Sequence, residues 1–342
     1  MKGLVSVIMG VHNENPAYLR TAVDSICAQT YKNLEFIIVD DAANEPCRQL
    51  LADCEARHSN IKILHNSSNN GLTKSLNKAL AAAGGEYIAR MDADDFSVPD
   101  RIEKQVRFME DNPDIDVCGT GVVTFGGGEK FMSPMNGLDS RKAACFLFFS
   151  STICHPSAMV RAIFLQKNNL EYDESIKSGQ DFDLWERCSV CGKLAVMPQV
   201  LLYYRLHPGQ ITAKCSDDQQ LTSDMVRRRR LSRIGLAPTE AEYKCHLLLA
   251  SGVSDDISAA DVLAWKNKLL EANRSAELAD PDEFEKDLDH RFFLYKMRNR
   301  KVFSAIRAAD AGCFCRMISD NIARGVKLSR ATAALHKLLP NE

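Results

Sequence analysis

Apolar runs alternate with amphipathic segments in the first third of the chain. Four apolar runs of strand length are predicted β-strands, at residues 4–10, 34–40, 61–66 and 86–91. Apolar residues recur at helical spacing in three further segments, at residues 16–30, 71–83 and 98–113. Strands that alternate with helices predict an α/β fold, with a mostly parallel sheet and helices on both of its faces.

The pattern changes twice beyond this region. Residues 115–215 mix short strands, helices and a glycine-rich loop, Gly126–Gly128. From Asp217 onward strand patterns nearly vanish, and the sequence predicts helices. We therefore expect an α/β domain over residues 1–215 and a helical C-terminal region over residues 216–342.

The composition indicates a globular protein and argues against a nucleic-acid-binding, disulfide-rich or membrane-spanning one. The 342 residues include 45% hydrophobic residues, enough for a sizeable core, and the formal net charge of −2 argues against a nucleic-acid partner. The 12 cysteines show no disulfide spacing, so we expect reduced thiols in a cytoplasmic protein. The longest uncharged run, Ala143–Val160, is polar in its second half, which predicts a buried segment rather than a membrane span.

Polar clusters follow three of the predicted strands. They are His12–Glu14, Asp40–Asp41 and Asp92–Asp94. Ligands of parallel α/β sheets bind beyond the carboxyl ends of the strands. The three clusters are therefore predicted to converge on one edge of the sheet and to form a binding site there.

Three carboxylates fall within four residues, at Asp92, Asp94 and Asp95. Like charges this close repel one another, so either water or a bound cation must compensate them. A hard divalent cation such as Mg²⁺ or Mn²⁺ prefers oxygen ligands and would neutralise both the aspartates and a diphosphate. The alternative is a solvated acidic loop that caps the helix after it.

Six segments carry an ordered set of motifs: "VSVIMGVHNE", "AVDSICAQTYKNLEFIIVDDAAN", "NNGLTKSLNKALAAAGGEYIARMDADD", "HPSAMVRA", "GQDFDLWERC" and "YRLHPGQIT". Together they resemble the family 2 glycosyltransferases, which have the Rossmann-like GT-A fold. The resemblance covers residues 3–215. It implies a nucleotide-binding half over residues 1–112 and an acceptor-side half over residues 113–215.

The resemblance implies an enzyme that transfers a sugar from a nucleotide-diphosphate donor with inversion at the anomeric carbon. It implies a UDP-sugar as donor, Mn²⁺ or Mg²⁺ as cofactor, and a glycan or lipid-linked saccharide of surface polysaccharide biosynthesis as acceptor. The residues that it assigns to the nucleotide-sugar are Gly10, His12, Glu14, Asp41, Lys74, Arg90 and Asp92.

The chemistry of the side chain gives a reason for four of these assignments. Asp41 would accept a hydrogen bond from the base, although an aspartate after a strand also suits a helix N-cap. His12 stands where family members often carry tyrosine, and its ring could stack on the base. Lys74 would face the diphosphate or be an exposed helix lysine. Arg90 would partner Asp92 or the phosphates.

The resemblance assigns the metal chiefly to Asp94, with His207 facing the metal or the diphosphate. It assigns the catalytic base to Asp181, which opens a predicted helix. The alternative is an acidic residue that the helix dipole favours at this position, and the dipole would lower its pKa and weaken it as a base. The family usually has a Glu-Asp pair at this position, and here the pair is Gln180-Asp181. Trp185 would form the acceptor wall or pack in the core, and His155 would lie near the acceptor.

The C-terminal region divides by charge. Residues 255–290 hold 11 acidic and 4 basic residues, whereas residues 291–339 hold 11 basic residues and 2 aspartates. The basic segment could bind an anionic membrane surface or pair with the acidic segment. The four arginines of 227–230 are predicted to form a solvated helix face.

Two other classes of function compete with sugar transfer. A nucleotidyltransferase would need a glycine-rich and basic phosphate loop after the first strand, and "GVHNENP" has none. A non-catalytic homologue that binds nucleotide or sugar would agree with Gln180. Four intact acidic residues argue against it, namely Asp41, Asp92, Asp94 and Asp181.

Overall fold

The structure is a computed structural model that describes residues 3–126, 136–210, 216–250 and 257–298. Its described strands form one sheet with the order β3-β2-β1-β4-β7-β6-β8-β5. They are β1 (Val5–Val11), β2 (Leu34–Asp40), β3 (Ile61–His65), β4 (Tyr87–Arg90), β5 (Phe96–Ser97), β6 (Val117–Phe125), β7 (Met159–Arg161) and β8 (Leu194–Arg205). Strands β3, β2, β1 and β4 run parallel, and antiparallel pairs appear only from β7 outward. The predicted α/β class and its first four strands are confirmed.

The described helices lie between these strands along the chain and after the last of them. They are α1 (Pro16–Cys27), α2 (Glu45–Arg57), α3 (Leu72–Ala82), α4 (Arg101–Asp111), α5 (Ser140–Phe146), α6 (Ala162–Lys167), α7 (Gln180–Cys191), α8 (Ser216–Arg233), α9 (Glu240–Ala250), α10 (Ala259–Ala276) and α11 (Pro281–Arg298). A 3₁₀ turn also spans His155–Ser157. From α8 onward the described elements are all helical, as the sequence predicts.

Helices cover both faces of the sheet. Alternate residues of β1 point to opposite faces, as in any strand. Val7 belongs to the core cluster that includes residues of α1, α2 and α4. Ile8 belongs to the second core cluster, which includes residues of α3, α6, α7 and α8. The double layer leaves the ends of the parallel strands as the open edge where a ligand can bind.

A local signal explains where α1 begins, whereas a tertiary contact sets the beginning of α4. The side chain of Asn15 caps α1 by accepting from the amide of Ala17, and Pro16 occupies the first turn. The predicted helix 98–113 begins later, at Arg101. Its first residues pair with β8 instead, and the amide of Val98 donates to the carbonyl of Leu201. A distant strand thus outweighed the local helical pattern.

The uncharged run Ala143–Val160 is a buried segment, as predicted. It begins within α5, and Leu147, Phe148 and Phe149 have no exposed surface. Among the described residues, no helix is both long and apolar enough to cross a membrane.

The expectation of a solvated face at residues 227–230 is wrong. Arg230 is completely buried and donates to Ser189 Oγ and to the carbonyl of Ala144. Arg227 and Arg229 also bond to groups outside their own helix. Desolvation lowers the pKa of the Arg230 guanidinium to about 10. Buried guanidinium groups persist because carbonyl and carboxylate partners replace the lost water.

The described residues form two compact units. The first comprises residues 3–237 and 272–283, and the second comprises residues 238–271 and 284–298. In the second unit Trp265 packs edge-on against the buried His246 and donates its indole N–H to it. Residues 299–342 hold most of the predicted basic segment and lie outside the described residues. Two of the three loop glycines at 126–128 lie outside them as well.

Candidate active site

A cleft of about 570 Å³ opens at the carboxyl ends of β1, β2 and β4, within the first unit. A cleft of this size suits a small ligand of the size of a nucleotide. Most of the predicted site residues line it, namely Gly10, His12, Glu14, Asp41, Arg90, Asp92, Asp94, His155, Gln180 and Asp181. The three polar strand ends therefore converge, as the parallel topology predicted.

Asp41 holds one wall of the cleft. Its Oδ1 accepts from the amide of Asn70 at 2.8 Å and from Asn66 Nδ2 at 2.7 Å, and its Oδ2 accepts from the amide of Gly71 at 2.8 Å. The side chain of Asn44, not that of Asp41, caps helix α2. A carboxylate has about four acceptor positions, and these bonds use three of them. Asp41 therefore orders the loop before α3 and can accept one more hydrogen bond.

The ring of His12 is held in place on both of its nitrogens. Nδ1 lies 2.8 Å from the carbonyl oxygen of Asp41, and Nε2 lies near the side-chain amides of Asn13 at 3.0 Å and Asn69 at 3.1 Å. The amides are donors, so Nε2 accepts and Nδ1 carries the proton. These contacts give the ring a fixed orientation in the cleft wall.

Gly10 and Glu14 complete this wall. A side chain at Gly10 would meet Leu72 of α3 at 3.0 Å, so α3 is the close neighbour there. The backbone carbonyl of Glu14 accepts from Cys47 Sγ, and this contact ties the loop after β1 to α2.

The acidic turn brings three carboxylates together. One oxygen each of Asp92, Asp94 and Asp95 lies within 4.8 Å of the others. Burial, followed by the charge of Asp92, raises the pKa of Asp94 and raises that of Asp95 well above its ordinary value. Arg90 is buried and pairs with Asp92 through Nη1. One buried guanidinium does not balance three carboxyl groups this close together, and the raised pKa values of Asp94 and Asp95 reflect the cost of ionising all three without a further cation.

The donor set of this turn fits a divalent cation. Asp95 is completely buried, and within the described part of the chain its Oδ2 has no hydrogen-bond partner. A buried oxygen without a partner is costly unless something else coordinates it. Three clustered carboxylates are the kind of ligand that Mg²⁺ and Mn²⁺ prefer.

His207 contacts the same turn. Its Nε2 lies 2.8 Å from Asp94 Oδ2, and its Nδ1 lies 3.2 Å from the amide of Gly209. Since the Gly209 amide donates to Nδ1, Nε2 carries the proton and donates to Asp94. The loop after β8 thus orients the middle carboxylate.

Arg205 is a positioning residue that the sequence analysis missed. Its guanidinium carbon lies 4.1 Å from the ring centroid of Tyr18 and 4.4 Å from that of Phe125. Its Nε donates to the carbonyl of Asp94, and its amide donates to Asp95 Oδ1. The only signal in the sequence was its place within "YRLHPGQIT", beside the predicted His207.

Asp181 lies in the first turn of α7, after Gly179 with a φ of 80°. Ser151 Oγ donates to Asp181 Oδ2 at 3.4 Å. Burial raises the pKa of Asp181, and hydrogen bonding to the amide of Phe182 only partly offsets this. The expectation that the helix dipole would lower this pKa is wrong, because the loss of water has the larger effect.

The remaining acceptor-side residues divide between the cleft and the core. His155 lines the cleft, and its Nε2 is hydrogen-bonded to the Tyr172 hydroxyl at 2.7 Å. Burial lowers the pKa of His155 well below its ordinary value and so keeps the ring neutral. Gln180 is buried and also lines the cleft. Trp185 lies behind this wall, where its Nε1 donates to the carbonyl of Ile153, so packing in the core is its observed position.

Lys74 is exposed on α3 and is not among the residues that line the cleft. Of the two interpretations of Lys74, the structure shows the exposed helix lysine. The cleft is lined instead by residues that sequence reasoning did not select, including Asn69, Ser151, Lys177 and Gln219. They come from loops and from α8, whose positions are set by packing and not by any local pattern.

Comparison with known proteins agrees with this geometry. The model of the family described as "Glycosyl transferase family 2" matches residues 6–167. An uncharacterized glycosyltransferase of Methanocaldococcus jannaschii, MJ1057, is 35% identical over 209 residues, which cover 60% of this chain and 71% of that protein. The O-antigen biosynthesis glycosyltransferase WbnJ of Escherichia coli is 32% identical over 209 residues, which cover 60% of this chain and 80% of that protein.

Solved structures share the fold. The crystal structure of S. aureus TarS 1-349 in complex with UDP-GlcNAc has a TM-score of 0.59 and 17% sequence identity, and the match covers 84% of this chain and 91% of that one. The match covers 55% of the longer TarS chain. This likeness concerns the fold alone, and it confirms the predicted GT-A architecture.

Proposed function

Because the chain belongs to glycosyl transferase family 2, we propose that this glycosyltransferase moves a sugar from a UDP-sugar to a hydroxyl of a glycan or lipid-linked saccharide, with inversion at the anomeric carbon. One observation carries the proposal. A single cleft holds a carboxylate turn suited to a divalent cation and, on a different element, a carboxylate whose pKa is raised. Transfer to a hydroxyl needs both features.

The nucleotide binds at the ends of β1 and β2 in this proposal. Uracil carries an N3–H donor, and Asp41 retains one acceptor position after its three internal hydrogen bonds. The fixed ring of His12 gives the base a surface to stack on. The complex of TarS with UDP-GlcNAc supports a uridine donor for a protein of this fold.

Asp92, Asp94 and Asp95 would hold the cation, Mn²⁺ or Mg²⁺. When bound, it offsets the negative charge that grows on the departing diphosphate. His207 and Arg205 hold Asp94 from its side chain and its backbone. His207 Nε2 could itself become a ligand only in the other tautomer of the ring, with the proton on Nδ1.

Asp181 is the proposed base. Its carboxylate takes the proton of the acceptor hydroxyl as that oxygen bonds to the anomeric carbon and the bond to the diphosphate oxygen breaks. The single displacement inverts the anomeric centre and needs no covalent intermediate on the protein. A raised pKa makes the carboxylate a better base, provided that the pH keeps it ionised. Ser151 fixes one of its oxygens, which leaves the other to face the acceptor.

The acceptor binds beside Asp181, where the cleft wall is polar and mostly uncharged. Gln180, Ser150, Ser151 and neutral His155 offer hydrogen bonds, and Lys177 adds one positive charge. Such a wall suits the hydroxyl groups of a saccharide. The relative named for O-antigen biosynthesis supports a surface polysaccharide as the destination of the sugar.

A donor screen tests the proposal. Purified protein is mixed with UDP-sugars, GDP-mannose or dTDP-sugars, with Mn²⁺ or EDTA, and both the Tm and the release of nucleoside diphosphate are measured. We expect at least one UDP-sugar to raise Tm and to be turned over only with the metal. Nucleotide binding without turnover of any donor would instead indicate a non-catalytic homologue, and turnover in EDTA would contradict the role of the acidic turn.

Peripheral membrane contact through the basic C-terminal segment stays a separate proposal. Residues 291–339 hold 11 basic residues and 2 aspartates, and this excess of positive charge would attract an anionic membrane surface. Co-sedimentation of the full chain with anionic and neutral vesicles tests it. We expect binding only to anionic vesicles and its loss in high salt, whereas equal recovery with both vesicle types would remove the membrane role.

A further inference from the structure

Helix α8 contacts both protein segments that surround Asp181. We propose that three of its arginines, Arg227, Arg229 and Arg233, are positioning residues for this carboxylate. The inference rests on the proposed role of Asp181 as the base. It makes residues 216–233 part of the catalytic architecture, although the family match ends at residue 167.

The first contact is with α7, the helix that carries Asp181. Arg229 Nε lies 2.8 Å from Glu186 Oε2, and Arg229 Nη2 lies 2.8 Å from Asp183 Oδ1. Arg233 Nε lies 2.6 Å from Glu186 Oε1. Asp183 and Glu186 are three residues apart, so they lie on one face of the helix and present a fixed pair of acceptors.

Both carboxylates are almost completely buried. The side chain of Asp183 is 1% exposed, and that of Glu186 is not exposed. Buried carboxylates require cationic or hydrogen-bonding partners. Arg187 of α7 itself pairs with Asp183 Oδ2, and the arginines of α8 supply the partners from outside the helix, which ties α7 to α8. Neither carboxylate is among the residues that line the cleft, so they influence it only through the position of α7.

The second contact is with the loop on the other side of the base. Arg227 Nε donates to the carbonyl of Phe149 at 2.8 Å, and its Nη1 pairs with Asp224 on the same helix. Two residues after Phe149, Ser151 donates to Asp181 Oδ2. Arg227 therefore holds the loop that supplies the hydrogen bond to the base.

The beginning of α8 packs where α7 begins. A Cβ atom placed on Gly179 would meet Thr222 Cγ2 at 3.2 Å. Gln219, which precedes Thr222 by three residues on α8, lines the cleft itself. One helix thus contacts the start of α7, its buried face and the neighbouring loop. These contacts together fix the direction of a carboxylate whose misplacement by about 1 Å can cost about 100-fold in rate.

The test uses the full chain, Mn²⁺ and the UDP-sugar that the donor screen identifies. The assay measures the UDP that is released when the sugar is transferred to water or to an acceptor. The variants are Arg227→Gln and Arg229→Gln, each compared with Arg229→Lys and with Arg48→Gln. Arg48 pairs with Glu45 on the exposed surface of α2, which makes it a matched arginine–glutamate control. Affinity for UDP with Mn²⁺ and the Tm are measured for every variant.

We expect Arg227→Gln and Arg229→Gln to lower kcat by about 10- to 100-fold while the affinity for UDP and the KM of the donor stay within about twofold. Arg229→Lys keeps the charge but lacks the planar group whose Nε and Nη2 bond Glu186 and Asp183 in a fixed geometry, so it should recover only part of kcat. The control should behave like the wild type.

Three results would overturn the inference. They are an unchanged kcat in a folded variant, a loss of UDP affinity equal to the loss of kcat, and complete recovery in Arg229→Lys. If one glutamine variant does not fold, the other decides, because the two act on different segments. Failure of the proposed function is separate: in that case the wild-type protein itself releases no UDP from any donor.

Discussion

Arg205 donates its Nε–H to the backbone carbonyl of Asp94 at 2.8 Å while its guanidinium lies between the rings of Tyr18 and Phe125. Contact with the two rings restrains the guanidinium, and its hydrogen bond to the Asp94 carbonyl ties the acidic turn to this restrained group. A residue from the end of β8 therefore decides how the carboxylates after β4 are presented.

Arg205→Lys should weaken the binding of Mn²⁺ by about 10-fold or more, because groups that orient metal ligands contribute on this scale. Lysine keeps the positive charge but loses the planar group between the two rings. Calorimetric titration of the nucleotide-free protein with Mn²⁺ measures the effect. Lys193→Gln is the control, since it removes a cation from an exposed pair with Asp114. Equal affinities in Arg205→Lys and the wild type would contradict the positioning role.

Asp181→Asn should abolish transfer and leave UDP affinity nearly unchanged. Asparagine fills the same space at the start of α7 but cannot accept the proton of the hydroxyl. Turnover is compared with equilibrium binding of UDP in the presence of Mn²⁺. Asp53→Asn, on the exposed side of α2, is the matched control. Normal turnover of Asp181→Asn would show that another group is the base.

The acid limb of the activity profile should lie above the ordinary aspartate range. Burial raises the pKa of Asp181 from its ordinary value of 3.8, and the base works only when it is deprotonated. As pH falls through the raised pKa, kcat should fall about 10-fold per pH unit below it. The profile is recorded at saturating donor and Mn²⁺. A limb at or below pH 3.8, in protein that is still folded, would contradict this environment for the base.

The metal-free protein should lose stability as pH rises from the acid side. Burial raises the pKa of Asp95 well above 3.8, so the folded state retains a proton that the unfolded chain has released. Between these two pKa values the free energy of unfolding falls with rising pH. We expect Tm in EDTA to decrease across this window, and Mn²⁺ to raise Tm most at its upper end.

Asp95→Asn provides the comparison for that experiment. Asparagine has no proton to release, so the dependence of Tm on pH should become flatter, and the gain in Tm from Mn²⁺ should shrink. A slope equal to that of the wild type would assign the pH dependence to other groups.

Gly85→Ala should destabilise the fold by about 1–3 kcal/mol. A Cβ atom at Gly85 would lie 2.6 Å from the backbone nitrogen of Ser6, so β1 and the start of β4 would have to separate. At the neighbouring Gly84 the nearest atom would be Glu35 Oε1 at 3.6 Å, an ordinary contact. Denaturant unfolding of the two alanine variants measures the difference. Equal stabilities would show that the strand contact is looser than the structure describes.

The sequence by itself determined the parallel half of the sheet. The runs at β1, β2 and β4 are almost entirely buried on both faces, which makes them recognisable without any partner. At the edge of the sheet, β3 was recognised from a shorter apolar pattern, and its Lys62 and His65 are exposed. Parallel topology then brings the residues after β1, β2 and β4 to one edge, so His12, Asp41 and Asp94 could be placed together in advance. Helix α2 was not predicted, since only a few of its residues, among them Cys47 and Leu51, are buried.

Only the tertiary structure decided the rest of the site. Local periodicity reports which face of an element is buried but not which distant group meets it. Trp185 and Lys74 had two open interpretations each, and packing placed one in the core and the other on an exposed face. Arg205 and Arg229 resembled ordinary surface arginines in sequence. Their function depends on carboxyl and carbonyl oxygens more than 40 residues away along the chain, which only folding brings within hydrogen-bond distance.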